Sequence, residues 1–177
     1  MTDNLHDEIR LFGIGGSPGI CIGKAYIVDK EGVEVVNRYA IEKEDLTDEV
    51  KRFKAAVKRT KDDLLAIVDN TPDTLKQHAY VFETHLQLLK DKMLYGSTIE
   101  TIEKECVNAE WALKKTISRI KTMFQDINDP YLRERAEDIV HVGDRIMRNL
   151  TGAPRLNLAD INARVILIAR DLSLIHI

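Results

Sequence analysis

Histidine is a side chain that can transfer protons or phosphoryl groups, and this 177-residue chain contains five. His78 and His85 lie seven residues apart, so a helix over this stretch would place both on one face. A pair of metal ligands would favour a spacing of three or four residues and would need further ligands. We therefore do not expect a metal site at these two histidines.

A third histidine, His141, follows two acids, Glu137 and Asp138, that could stabilise an imidazolium. One interpretation is a phosphorylatable histidine on a helix. The alternative is an ordinary solvated helix residue, and we favour it. His176 lies in the C-terminal stretch at 172–177, and it supports no chemistry.

A glycine-rich segment at residues 13–19 invites comparison with a phosphate-binding loop. It lacks the Lys-Ser/Thr pair of a P-loop, and no predicted helix follows it to offer its N-terminus to a phosphate. A turn between strands is the favoured interpretation. Cys21 and Cys106 lack the spacing of metal ligands and are too few for a disulfide framework.

The composition is that of a globular protein with a buried core, with 44% hydrophobic and 31% charged residues. The net charge of -3 argues against general nucleic-acid binding, which needs a basic surface. No apolar run reaches the ~18 residues of a membrane span, and the polar N-terminus does not resemble a signal peptide. We expect a cytoplasmic protein with reduced thiols.

The hydrophobic pattern predicts strands first, then helices, then one more strand. β-branched and apolar residues at 20–28 and 33–36 indicate two strands. From about residue 41 to 151, apolar residues recur at helical spacing. The apolar run at 165–169 is typical of a strand buried on both faces. Because that strand needs partners, we predict that the helices are inserted between strands of one sheet, in an α+β fold that is mostly α.

The helical region divides at its turn signals. The first helix should end before Pro72, a second should cover 73–91, and a shorter one should follow from 93 to 106. Asn108 is a good N-cap for the next helix, and Asp129-Pro130 should open the last.

Several ordered motifs resemble enzyme I of the phosphotransferase system, also called phosphoenolpyruvate–protein phosphotransferase. They are SPGI and IGKA at 17–25, VFETHLQLLKD at 81–91, NAEWAL at 108–113, YLRERAEDI at 131–139 and VILIARDLS at 165–173. The resemblance implies transfer of a phosphoryl group from phosphoenolpyruvate to a histidine and on to a small histidine phosphocarrier protein. The phosphohistidine of the family lies in a Gly-Gly-Arg-Thr-Ser-His motif of an α/β domain. Residues 10–40 and 155–171 would form part of that domain, and the helical domain at 41–151 would dock the carrier.

The histidine motif does not occur in residues 1–177, so we expect no catalytic residue in this chain and no phosphorylation by phosphoenolpyruvate. The family binds Mg²⁺ in a C-terminal barrel and forms a homodimer through it, so we expect no cofactor in this chain. By the same resemblance, the carrier-docking surface includes Glu83, His85, Leu88, Asp91 and Leu94. Leu88 and Leu89 are adjacent and cannot face the same way, and we predict that Leu88 is the outward one.

The predicted docking helix departs from the family pattern at four positions, where we would expect acids. These are Lys76, Gln77, Lys90 and Lys92. A less acidic surface should attract a basic carrier more weakly, and the partner could be a carrier of a nitrogen-related rather than a sugar phosphotransferase system.

Two hypotheses concern the ends of the chain. Residues 1–9 should be a disordered lead, and residues 172–177, LSLIHI, match one reading frame of a common transposon-end sequencing adapter. We therefore expect the gene to continue, the alternative being a natural C-terminus. If a genuine stop followed, the chain would be a standalone, non-catalytic helical module that binds another protein.

Overall fold

A computed structural model of the chain describes residues 12–28, 36–70, 80–125, 129–153, 161 and 163–169. The predicted lead at 1–9, the predicted strand residues 33–35 and the LSLIHI stretch lie outside these ranges. Contacts divide the chain into two compact units. One comprises Met1–Lys30 and Asn157–Ile177, and the other, the helical unit, comprises Glu31–Leu156.

The first unit contains two strands, β1 (Lys24–Val28) and β2 (Val165–Ala169), which form a parallel sheet that we call the strand pair. Because they flank the helices in sequence and still pair, the predicted insertion of helices between strands is confirmed. Residues 20–23 precede β1 as irregular chain, with Ile20 and Ile22 exposed, so the strand begins later than predicted.

The prediction that the second strand is buried on both faces is wrong in this structure. Leu167 is 39% exposed and Ile168 is 50% exposed. Burial on both faces of a strand requires layers that cover the sheet. No further strand or helix within the described part of this unit forms such a layer.

The helical unit begins with α1 (Leu46–Asn70), a single long helix as predicted. Residues 43–45 form a turn before it, so the helix starts five residues later than residue 41. The backbone carbonyl of Asp45 accepts hydrogen bonds from the N–H groups of Asp48 and Glu49, both at 3.0 Å. Asp48 and Glu49 lie in the first turn, where their negative charges interact favourably with the positive end of the helix dipole.

The next segment is described from α2 (Tyr80–Leu88), because residues 71–79 lie outside the described ranges. α2 ends three residues before the predicted end. It is followed by a π-helix at Lys92–Gly96 and by α3 (Ser97–Glu105). The single helix predicted over 93–106 is therefore two elements, a change of winding that periodicity alone did not reveal.

Two long helices complete the unit, α4 (Ala109–Gln125) and α5 (Pro130–Thr151). Pro130 opens α5 as predicted, and Gly152 follows it at φ +68°, the left-handed conformation that commonly ends helices. The two helices approach closely at Gly143, where an added Cβ would lie 2.2 Å from Ile117 Cδ1. A side chain at 143 would therefore push these helices apart unless Ile117 moved.

The core of the helical unit lies among α1, α3, α4 and α5. Phe53, Leu64, Ile102, Leu113 and Val142 are each 0% exposed. They come from four different helices, so the apolar stripes predicted from sequence do meet in one interior. Burial of this kind is the main stabilising contribution to a helical domain.

Candidate docking surface

Helix α2 carries three of the predicted docking residues, Glu83, His85 and Leu88, and it packs against α1 and α5. Phe82, His85, Leu88 and Leu89 are all buried, at 5%, 1%, 8% and 3% exposure. Positions 82, 85 and 89 share one face of a helix, and 88 borders it. The inward side of α2 therefore includes His85 as well as apolar side chains.

His85 is part of that interior and does not belong to an exposed surface, which corrects its predicted place. Its Nε2 atom lies 3.3 Å from Oδ1 of Asp138 on α5. Burial lowers the pKa of His85 below its ordinary 6.5, and the hydrogen bond to Asp138 opposes this only in part. Its buried Nδ1 has no hydrogen-bond partner among the described residues. The pair links α2 to α5.

Leu88 and Leu94 are also interior side chains, at 8% and 1% exposure. The prediction that Leu88 points outward is wrong, because both it and Leu89 are buried at the end of α2. Adjacent residues can both be buried where a helix ends and several elements surround it. The π-helix follows within four residues and places Leu94 in the same interior.

Glu83 and Asp91 are the two predicted docking residues that remain exposed. Asp91 also has a local structural role, because one of its carboxylate oxygens accepts a hydrogen bond from the Met93 N–H at 2.7 Å. This N-cap fixes the start of the π-helix. Beside it, Met93 is 38% exposed, a partly solvated apolar side chain that the sequence analysis did not single out.

A charged cluster that was not predicted from the sequence joins α1 to α4. Arg52 of α1 forms salt bridges of 2.7 Å with both Glu49 and Glu110. Its hydrogen bonds to Glu110 and then to Glu49 raise its pKa. Burial alone would raise the pKa of Glu110, but hydrogen bonds from Arg52, its own backbone N–H and Asn108 lower it overall.

The same cluster caps helix α4 from a distance. Glu49 accepts a hydrogen bond from the Ala109 N–H at 2.6 Å, and Asn108 Oδ1 accepts one from the Tyr39 N–H at 3.2 Å. Asn108 therefore stands at the predicted start of α4, while Glu49, 60 residues away, supplies a cap. Glu49, Arg52 and Glu110 are all visible in the sequence. The sequence does not show that residue 110 lies opposite residues 49 and 52.

The other candidate sites are less informative. His141 is half-buried and takes part in interactions, and His78 lies outside the described ranges.

Across the described ranges, no group of three or more His, Cys, Asp or Glu side chains is arranged to hold a metal ion. The described side chains therefore do not fit a magnesium site. No helix in the described part of the chain is long and apolar enough to span a membrane.

Comparison with known proteins identifies the class of protein. Residues 12–135 match the family described as PEP-utilising enzyme, N-terminal. Because this match covers more than half of the chain, the chain belongs to this PEP-utilising enzyme, N-terminal family.

Individual relatives narrow the similarity to one kind of enzyme. The chain is 38% identical to the phosphoenolpyruvate-protein phosphotransferase of Bacillus subtilis (strain 168) over 168 residues, which is 93% of this chain and 28% of the relative. It is 33% identical to the same enzyme of Haemophilus influenzae over 162 residues, 91% of this chain and 28% of the relative. The chain thus spans a little over a quarter of these relatives' length.

Solved structures show the same similarity. An NMR solution structure of Enzyme I has a TM-score of 0.73 and 36% sequence identity to this chain, and the match covers 90% of this chain and 64% of the Enzyme I chain. The N-terminal domain of Enzyme 1 – Nitrogen has a TM-score of 0.66 at 25% identity and covers 91% and 66%. The predicted resemblance to the N-terminal part of enzyme I and the predicted α+β, mostly α fold are confirmed.

Proposed function

We propose that the helical unit docks a histidine phosphocarrier protein. The chain would then be the N-terminal part of an enzyme that transfers a phosphoryl group from phosphoenolpyruvate, through a histidine, to that carrier. The observation that carries this proposal is the 38% identity over 93% of the chain to a phosphoenolpyruvate-protein phosphotransferase. The carrier would belong to a sugar or a nitrogen-related phosphotransferase system.

The geometry of the helical unit suits docking. Phosphoryl transfer between two histidines depends on in-line positioning, which a rigid partner surface can supply. The His85–Asp138 contact joins α2 to α5, and the Asp91 cap sets the start of the π-helix. Both fix the backbone that presents the exposed side chains.

The docking surface we propose is smaller than the set predicted from sequence. Its centre is Met93, and its rim holds the exposed acids Glu83 and Asp91. An apolar centre with a charged rim is common in protein–protein interfaces. His85, Leu88 and Leu94 would support this surface from below, because all three are buried.

Calorimetric titration with the histidine phosphocarrier protein of Bacillus subtilis tests the proposal. We expect 1:1 binding that weakens between about 20 mM and about 200 mM salt, because salt screens rim charges. Glu83→Gln and Asp91→Asn each remove one charge, and Asn at 91 can still cap the π-helix. Each should weaken binding about twofold to fivefold at low salt.

Glu103→Gln on α3 is the matched control, because Glu103 is exposed and removal of its charge changes the net charge equally. Its affinity should equal that of the unmodified chain. Absence of binding would overturn the proposed docking. Binding with no salt dependence would overturn the role given to the rim acids.

A further inference from the structure

A groove separate from the proposed docking surface lies between α1 and the end of α2. Its volume is about 370 Å³. Four lysines line it, Lys54, Lys58 and Lys61 from α1 and Lys90 from the turn after α2. We call this feature the lysine groove. Neither Glu83 nor Asp91 nor Met93 lines it.

The lysines of α1 form a regular row. Lys54, Lys58 and Lys61 are spaced by four and three residues, so they follow one face over two turns, a length of about 10 Å. Like charges at this spacing destabilise a helix. A row of this kind therefore works against the stability of α1 unless negative charge lies beside it.

All four lysines are exposed, and none forms an ion pair within the described part of the chain. Other exposed lysines do find carboxylates, as Lys51 does with Asp48 and Lys115 with Glu105. The groove therefore presents four exposed cations that no described carboxylate pairs with.

The floor of the groove is apolar and fixed in place. Leu89 is buried at 3% exposure, and Val57 and Leu86 are half-buried. The ring of Tyr95, which also lines the groove, lies 5.8 Å from the ring of Phe53 in the core. Small-molecule sites combine a mostly apolar lining with a few placed charges, in volumes of roughly 300–1,000 Å³.

We propose that the lysine groove binds a small organic anion that has an apolar body and more than one negative charge. The apolar floor would accept the body, and the lysines on both sides would contact the anionic groups. Several cations around a concave site also raise the local concentration of such anions. The site shares no residue with the proposed docking surface.

NMR titration of the full 177-residue chain with naphthalene-1,5-disulfonate tests the proposal. We expect saturable shifts of the methyl groups of Val57, Leu86 and Leu89, with a Kd on the order of 0.1–1 mM for a probe of this size. Sulfate at equal ionic strength should give no saturable shift at these methyls. The proposal is overturned if the disulfonate gives no saturable shift there, or if sulfate reproduces its shifts.

A pair of double variants shows whether the lysines matter by position. Lys58→Gln with Lys61→Gln should weaken probe binding about tenfold. Lys43→Gln with Lys121→Gln removes the same charge from exposed positions outside the groove and should leave the Kd unchanged. Circular dichroism checks that both remain folded. Equal weakening by both doubles would mean nonspecific charge attraction and would overturn the site.

Discussion

The helical unit and the strand pair use their apolar residues in opposite ways. In the helical unit, Phe53 and Leu113 are 0% exposed. In the strand pair, Ile27, Leu167 and Ile168 are 69%, 39% and 50% exposed. A helical bundle can enclose a core among its own elements, whereas a two-stranded sheet has no second layer. The difference explains why we assign the docking surface to the helices.

The largest effect should come from opening the core of the helical unit. Phe53→Ala removes a fully buried ring that contacts Tyr95, and we expect a loss of about 3–5 kcal/mol in the free energy of unfolding. Urea unfolding followed by circular dichroism at 222 nm measures it. A loss below about 1 kcal/mol would mean that this interior does not hold the unit together.

The second effect concerns the charged cluster that joins α1 to α4. Arg52→Met keeps the length of the side chain but leaves Glu49 and Glu110 without their cation. The Arg52 side chain is 34% exposed, so we expect a loss of about 2–3 kcal/mol, less than for a fully buried pair. Lys51→Met, which removes the neighbouring exposed lysine, is the control and should change little. Equal losses would contradict a structural role for the cluster.

Acid should weaken the helical unit through His85. Because burial lowers its pKa, the unfolded chain binds a proton near pH 6.5 before the folded chain does. The stability that the neutral His85 side chain contributes is therefore fully present above pH 6.5. It is lost as the pH falls from 6.5 through the lowered pKa of His85 in the folded chain. Urea midpoints at about pH 8 and about pH 5.5 should differ, and His85→Gln should reduce the difference. An unchanged difference in the variant would contradict this assignment.

The smallest effect should come from the strand pair. Ile168→Thr keeps the β-branched shape of an already half-exposed side chain, so unfolding of the helical unit should change by about 0.5 kcal/mol or less. The urea transition used for Phe53→Ala measures it. A loss comparable to that of Phe53→Ala would remove the distinction between the two regions.

Much of the fold could be predicted because local patterns determine it. The apolar spacing of α1, α4 and α5, and the proline that opens α5, were enough to place these helices within a few residues. The residues 165–169 were assigned correctly as a strand, but their burial was not, because exposure depends on which other layers are present.

The candidate site was harder to predict because its contacts are not local. The Glu49–Ala109 and His85–Asp138 hydrogen bonds join residues 60 and 53 positions apart. Periodicity assigns a residue to a face but does not say what lies opposite it. His85 was expected on an exposed surface because of the family resemblance, and the sequence does not show that Asp138 lies opposite it. The π-helix was missed for a related reason, because the spacing of apolar residues does not reveal where a helix changes its winding.

The central claim, that the helical unit docks a histidine phosphocarrier protein, is tested most directly by NMR. The labelled 177-residue chain would be titrated with the unlabelled carrier of Bacillus subtilis. We predict saturable amide shifts that centre on Glu83, Asp91 and Met93, with the strand pair at β1 and β2 unperturbed. No shifts at saturating carrier, or shifts confined to the strand pair, would contradict the account.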